Sequence, residues 1–79
     1  MTKKLYLFTT DGCHLCEMAL AIVQPLLSDT KWQLTLVEIS EEASLVEQYG
    51  IRIPVLLKEG AIEDLGWPFD QEQVVSYLN

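Results

Sequence analysis

The sequence predicts a small α/β domain of element order β-α-β-α-β-β-α, in which three helices flank a four-stranded mixed sheet. Three observations lead there. Residues 4–9 (KLYLFT) form a short apolar, aromatic-containing run that stops at Asp11-Gly12. Directly after Gly12 the apolar spacing changes to steps of three and four. Two further short apolar runs flank Glu59-Gly60.

Residues 4–9 read as a strand buried on both faces, near the centre of the sheet. The helix that follows carries two stripes. His14, Glu17, Ala21, Gln24 and Ser28 make a wet one, and Cys13, Cys16, Leu20, Val23 and Leu27 a dry one. Pro25 lies inside this pattern and removes the bond to the carbonyl of Ala21, which is on the wet stripe where water can satisfy it. A kink rather than a break is expected. Residues 33–39 (QLTLVEI) are rich in β-branched residues and read as a second strand. Ser40, followed by Glu41 and Glu42, has the character of an N-cap with an acidic first turn, and Gly50 that of a helix stop. Residues 55–58 and 61–65 then read as a hairpin turning on the two residues Glu59-Gly60. Asp70 with Gln73 has the spacing of a capping box, and Phe69 with Val74 that of a hydrophobic staple, opening a last helix over residues 71–77. The first strand–helix–strand unit requires parallel strands, to which the hairpin adds antiparallel ones.

The chain has 79 residues, read as one domain over 1–79. Twelve acidic against five basic residues give a net charge of −7. That balance argues against nucleic acid, which is held by clustered Lys and Arg, and against anionic membrane surfaces. The N-terminal apolar run is too short for a secretory signal, and no segment reaches the ~20 apolar residues that cross a bilayer. A cytoplasmic monomer is expected. In that compartment thiols are kept reduced, so its two cysteines are expected to be catalytic or metal-binding rather than a structural staple.

Both cysteines lie in Cys13-His14-Leu15-Cys16, where the first strand gives way to a helix. Unpaired N–H groups and the positive end of the helix dipole face Cys13 and favour thiolate over thiol. A thiol of pKa near 8.5 is only about 3% thiolate at pH 7, whereas one of pKa near 7 is about half ionised. Cys16, one turn deeper on the dry stripe, is expected to be buried. Cys13 is then placed to attack a disulfide and Cys16 to resolve the mixed disulfide. Two other readings stand beside this one. Both cysteines can be small core hydrophobes, or Cys13, His14 and Cys16 can be three ligands of a metal that wants four. His14 falls on the wet stripe, and as an imidazolium it can help to stabilise the Cys13 thiolate.

Ile53-Pro54, after Gly50-Ile51-Arg52 and before the hairpin, completes a pattern that resembles the thioredoxin superfamily. The short chain, and the helix that starts directly after the first strand, resemble the glutaredoxins more narrowly. The resemblance implies a thioredoxin-like fold and a thiol–disulfide oxidoreductase that reduces protein or small-molecule disulfides. It implies a cis Ile53–Pro54 peptide beside the cysteines, with the Ile53 backbone receiving an extended substrate or glutathione. Gly66 and Trp67 fall where glutaredoxins carry paired glycines that approach glutathione, and Arg52 is the basic residue expected near the site. Asp70 matches loosely the acid that holds the glutathione amine, although helix capping explains it equally well. The departures are His14 and Leu15 in place of proline and an aromatic, Thr10 in place of a basic residue, and Trp67 itself. Glutathione is therefore a possible rather than an implied cofactor. The expected partners are a disulfide-containing protein or glutathione, and a thiol reductant system that resets the pair. The alternatives are a non-catalytic protein-binding module of the same fold, docking through Trp67 and Phe69, and a metal or iron–sulfur carrier.

Overall fold

In the computed structural model, which describes residues 2–28 and 30–79, four strands form one sheet in the order β2-β1-β3-β4. Strand β1 (Lys3–Thr9) pairs in parallel with β2 (Trp32–Glu38), from Lys3 opposite Trp32 to Thr9 opposite Glu38. On its other side β1 runs antiparallel to β3 (Val55–Lys58), with Phe8 opposite Val55 and Leu5 opposite Lys58. Strand β4 (Leu65–Gly66) is antiparallel to β3. The interior position of β1 explains why its sequence is a run and not an alternation. Leu5 and Leu7 point into one core, with Ala19, Val23, Leu56, Phe69 and Val74. Phe8 points into the other, with Ile39, Tyr49 and Val55, and its ring stacks on Tyr49 at 4.2 Å.

Helix α1 (His14–Val23) keeps the expected faces: His14, Glu17, Ala21 and Gln24 are exposed, and Cys16, Ala19 and Val23 are buried. It does not continue through a kink. The α-helix ends at Val23 and the chain tightens into a 3-10 turn, Gln24–Leu27, with Pro25 in its first positions. Gln24 still donates its N–H to the Leu20 carbonyl. One residue later the proline has no N–H to give to Ala21, and the α pattern stops there.

The Ser40 cap expected from the sequence is not formed. Ser40 lies in a 3-10 turn, Ile39–Glu41, and α2 starts later, as Ala43–Tyr49, with Glu42 at its N-cap position. The Ser40 N–H donates instead to the carboxylate of Glu38, at 3.1 Å. Gly50 follows α2 with ordinary right-handed backbone angles, so it is not needed for a left-handed turn. It is needed for space, because a Cβ there would run into the Val46 carbonyl oxygen.

The expected two-residue hairpin is longer, with residues 59–64 linking β3 to a two-residue β4. The Glu59-Gly60 turn itself forms, with Gly60 at a φ of 82° and the Ala61 N–H bonded to the Lys58 carbonyl at 2.9 Å. What displaces the ladder is Tyr77 of α3 (Gln71–Leu78). The Lys58 N–H donates to its hydroxyl at 3.1 Å, and that hydroxyl donates to the Glu63 carbonyl at 2.6 Å. A side chain thus satisfies groups that a longer strand pair would have satisfied. Helix α3 opens with the capping box expected, Asp70 and Gln73 each taking the other's backbone N–H at 2.9 Å. Among the described residues, no helix is long and apolar enough to cross a membrane.

Candidate redox site

Strand β1 ends at Thr9 and delivers the chain to a tight turn. The Cys13 N–H donates to the Thr10 carbonyl at 3.2 Å, and Gly12 between them has a φ of 78°, a conformation in which a side chain is strained. Cys13 is the N-cap residue of α1, and its Sγ accepts the backbone N–H of Cys16 at 3.1 Å. This is one of the donors that a helix start leaves without an intrahelical partner. In the reduced protein the same contact favours a negative charge on that sulfur. Cys13 and Cys16 are joined in a disulfide, with their Cα atoms 5.2 Å apart. Their surroundings differ: Cys13 is half-buried, while Cys16 is 4% exposed beneath it. The pair is therefore asymmetric, with one sulfur for solvent and one for the interior.

His14 does not bond to Cys13 among the described residues. Its Nδ1 lies 3.8 Å from the Glu17 carboxylate, and both side chains are exposed. No group of three or more His, Cys, Asp or Glu side chains is arranged to hold a metal among the described residues.

The register brings a second segment to this end of the sheet. Since Phe8 lies opposite Val55, the chain leaving β1 for Cys13 and the chain entering β3 through Ile53-Pro54 meet at one edge. The Ile53–Pro54 peptide is cis, and Pro54 is fully buried. The Ile53 N–H is bonded to the Tyr49 carbonyl at 3.0 Å. The Trp67 N–H donates to the Pro54 carbonyl at 3.0 Å, so Gly66-Trp67 borders the same segment. The Trp67 ring is half-buried and meets Phe69 edge-on at 5.0 Å, closing the core beneath it. The Trp67–Pro68 peptide is also cis, which nothing in the sequence signalled.

Arg52 is paired within the chain. Its guanidinium makes two hydrogen bonds to Asp64, one of 3.1 Å and one to the second carboxylate oxygen. It lies over the Tyr49 ring at 5.9 Å and across Gly66, where a Cβ would come within 3.3 Å of it. The carboxylate it binds is thus one of the chain's own.

On the β2 side of Cys13 lies a cavity of about 320 Å³. Leu7, Leu20 and Leu36 form its apolar floor, and Thr10, Asp11, Glu17 and Glu38 stand around it with both cysteines. Glu38 is the residue that sequence reasoning missed. It has no motif; only the parallel register, which sets it opposite Thr9, brings it here. The Ser40 N–H, which donates to it at 3.1 Å, holds its carboxyl below the usual carboxylate range, with a smaller contribution from the Thr10 hydroxyl. Glu38 thus stands at the end of β2 beside the turn that presents Cys13. Because the folded chain keeps Glu38 ionised to lower pH than the unfolded chain, its contribution to stability is complete above the ordinary carboxylate pKa of about 4.3. It is lost as pH falls through the depressed native value. Glu38→Gln is expected to be less stable than wild type at pH 7, with the difference closing below about pH 4. Urea unfolding of both proteins across pH measures this.

A family model described as Glutaredoxin-like domain (DUF836) matches residues 4–79. Two solved structures are similar throughout. The protein XcR50 from X. campestris is 32% identical, with a TM-score of 0.81 over 94% of this chain and 93% of that one. The protein Ne2328 from Nitrosomonas europaea is 26% identical, with a TM-score of 0.82 over 100% of this chain and 94% of that one. A mutant thioredoxin from Halobacterium salinarum, 24% identical, shares the fold with a TM-score of 0.71 over 95% of this chain and 70% of that one. No curated protein matches the sequence significantly.

Proposed function

The chain belongs to the family of glutaredoxin-like domains, with the thioredoxin-like fold, and on that premise we propose that it is a thiol–disulfide oxidoreductase working through Cys13 and Cys16. The observation that carries this reading is the asymmetric pair, with the Cys13 sulfur on a helix N–H at the surface and Cys16 buried behind it. In the reduced protein the Cys13 thiolate attacks a disulfide R–S–S–R′. A Cys13–S–S–R bond forms and R′–S⁻ leaves, taking a proton from water. Cys16 then loses its proton to solvent and attacks the Cys13 sulfur, which expels R–S⁻ and closes the Cys13–Cys16 disulfide. Two electrons pass to the target, which becomes two thiols. An external thiol reductant resets the pair. Ile53-Pro54, bordered by Gly66 and Trp67, is the proposed rest for the substrate backbone, and the Ile53 carbonyl is its acceptor. Replacing Cys16 by serine tests the order of attack. That variant is expected to accumulate a mixed disulfide with its substrate, and a variant that reduces substrate at the wild-type rate overturns the assignment.

A further inference from the structure

The fold gathers the lysines of this chain at one end of the sheet. Four of its five basic residues are lysines, at positions 3, 4, 31 and 58. Lys3 and Lys4 open β1, the Lys3 N–H bonds to the Lys31 carbonyl at 2.8 Å, and Lys58 lies opposite Leu5. All four therefore stand at the end of the sheet away from the cysteines. The seven residues of β1 separate the two ends by roughly 20 Å, about two Debye lengths at physiological salt. The fifth, Arg52, is neutralised by Asp64. Around the Cys13 groove stand Asp11, Glu17 and Glu38, and none of the lysines lies there to offset them. The groove has a second property. Its floor is leucine, and Leu36, on the edge strand β2, is 54% exposed. Apolar floor and acidic rim together match one kind of side chain, a long aliphatic stem with a cationic head.

We propose that this groove selects disulfide substrates whose reactive cysteine is flanked by lysine or arginine, and disfavours anionic ones such as glutathione disulfide. The stem of the basic residue lies along Leu20 and Leu36 while its head meets the carboxylates, at the moment the neighbouring sulfur reaches Cys13. This rests on the oxidoreductase reading and adds the class of substrate to it.

The test uses two peptide disulfides of matched length, one with lysines and one with glutamates beside the cysteine, together with glutathione disulfide. Each is reduced in single turnover by the pre-reduced full chain, and each rate is divided by that of dithiothreitol on the same compound, which removes intrinsic reactivity. The lysine peptide is expected to react about tenfold faster than the other two at low ionic strength, with the preference collapsing in 0.5 M salt, as attraction between exposed charges does. The Asp11→Asn, Glu17→Gln double variant is expected to lose most of the preference while still reducing the glutamate peptide. Equal normalised rates for the peptides, or a preference unmoved by both salt and the double variant, overturns the proposal and leaves the oxidoreductase reading standing. If none of the three disulfides is reduced, the oxidoreductase reading itself has failed.

Discussion

Cys13→Ser is expected to lower disulfide reduction by at least on the order of a hundredfold, to the uncatalysed background, with the fold intact. The hydroxyl of serine does not ionise at neutral pH and cannot form a disulfide, so the first step has no nucleophile. The fold survives because of where Cys13 sits. It is the N-cap of α1, accepting the Cys16 N–H, and serine is among the preferred residues there. Loss of activity with an unchanged circular dichroism spectrum therefore isolates the chemistry from the helix. A kinetic assay on a peptide disulfide reads the effect, and retention of even a tenth of wild-type activity would contradict the role given to Cys13.

The second large effect is on stability. Leu56 is 0% exposed, in the middle of β3, opposite Leu7 on one side and Leu65 on the other. It belongs to the core that α1 and α3 cover. Leu56→Ala removes buried methyl groups from a site clamped between two strands, which gives little room for collapse, so a cost of about 3 kcal/mol is expected. In a domain of this size each kcal/mol moves the melting temperature by about 4–8 °C, so a fall of about 12–24 °C is expected. Thermal melts of both proteins with the Cys13–Cys16 pair in the same redox state measure it. A shift of under about 3 °C would mean that the β1–β3–β4 core is not packed as described.

Much of the fold was legible because it rests on local signals. The change of period at Gly12, the capping box at Asp70 and the stripes of α1 are properties of neighbouring residues. The place of Cys13 and Cys16 at a helix start follows from the spacing, whereas Ile53-Pro54 is singled out only by the resemblance to thioredoxins. What was not legible depends on distant partners. Ser40 does not cap α2 because the chain first makes a 3-10 turn, held by the Glu38 carboxylate on the Ser40 N–H, and the helix starts three residues later. The hairpin lengthens because Tyr77, 19 residues away, satisfies the Lys58 N–H. The pairing of Arg52 with Asp64 joins residues 12 apart in the chain, which no local spacing signals. Glu38 had no sequence signal at all, since its place beside the cysteines is set by the parallel register with β1. The gathering of the four lysines at the end of the sheet away from the cysteines is likewise invisible until the strands are paired.

The central claim is that Cys13 attacks and Cys16 resolves. Peptide mapping of the adduct trapped on the Cys16→Ser protein by a stoichiometric disulfide tests it most directly. The account predicts a single mixed disulfide on Cys13, formed at a rate close to that of the first step in wild type. Failure to form any adduct, or reaction at Cys16 when the reciprocal Cys13→Ser protein is given the same disulfide at the same rate, would contradict it.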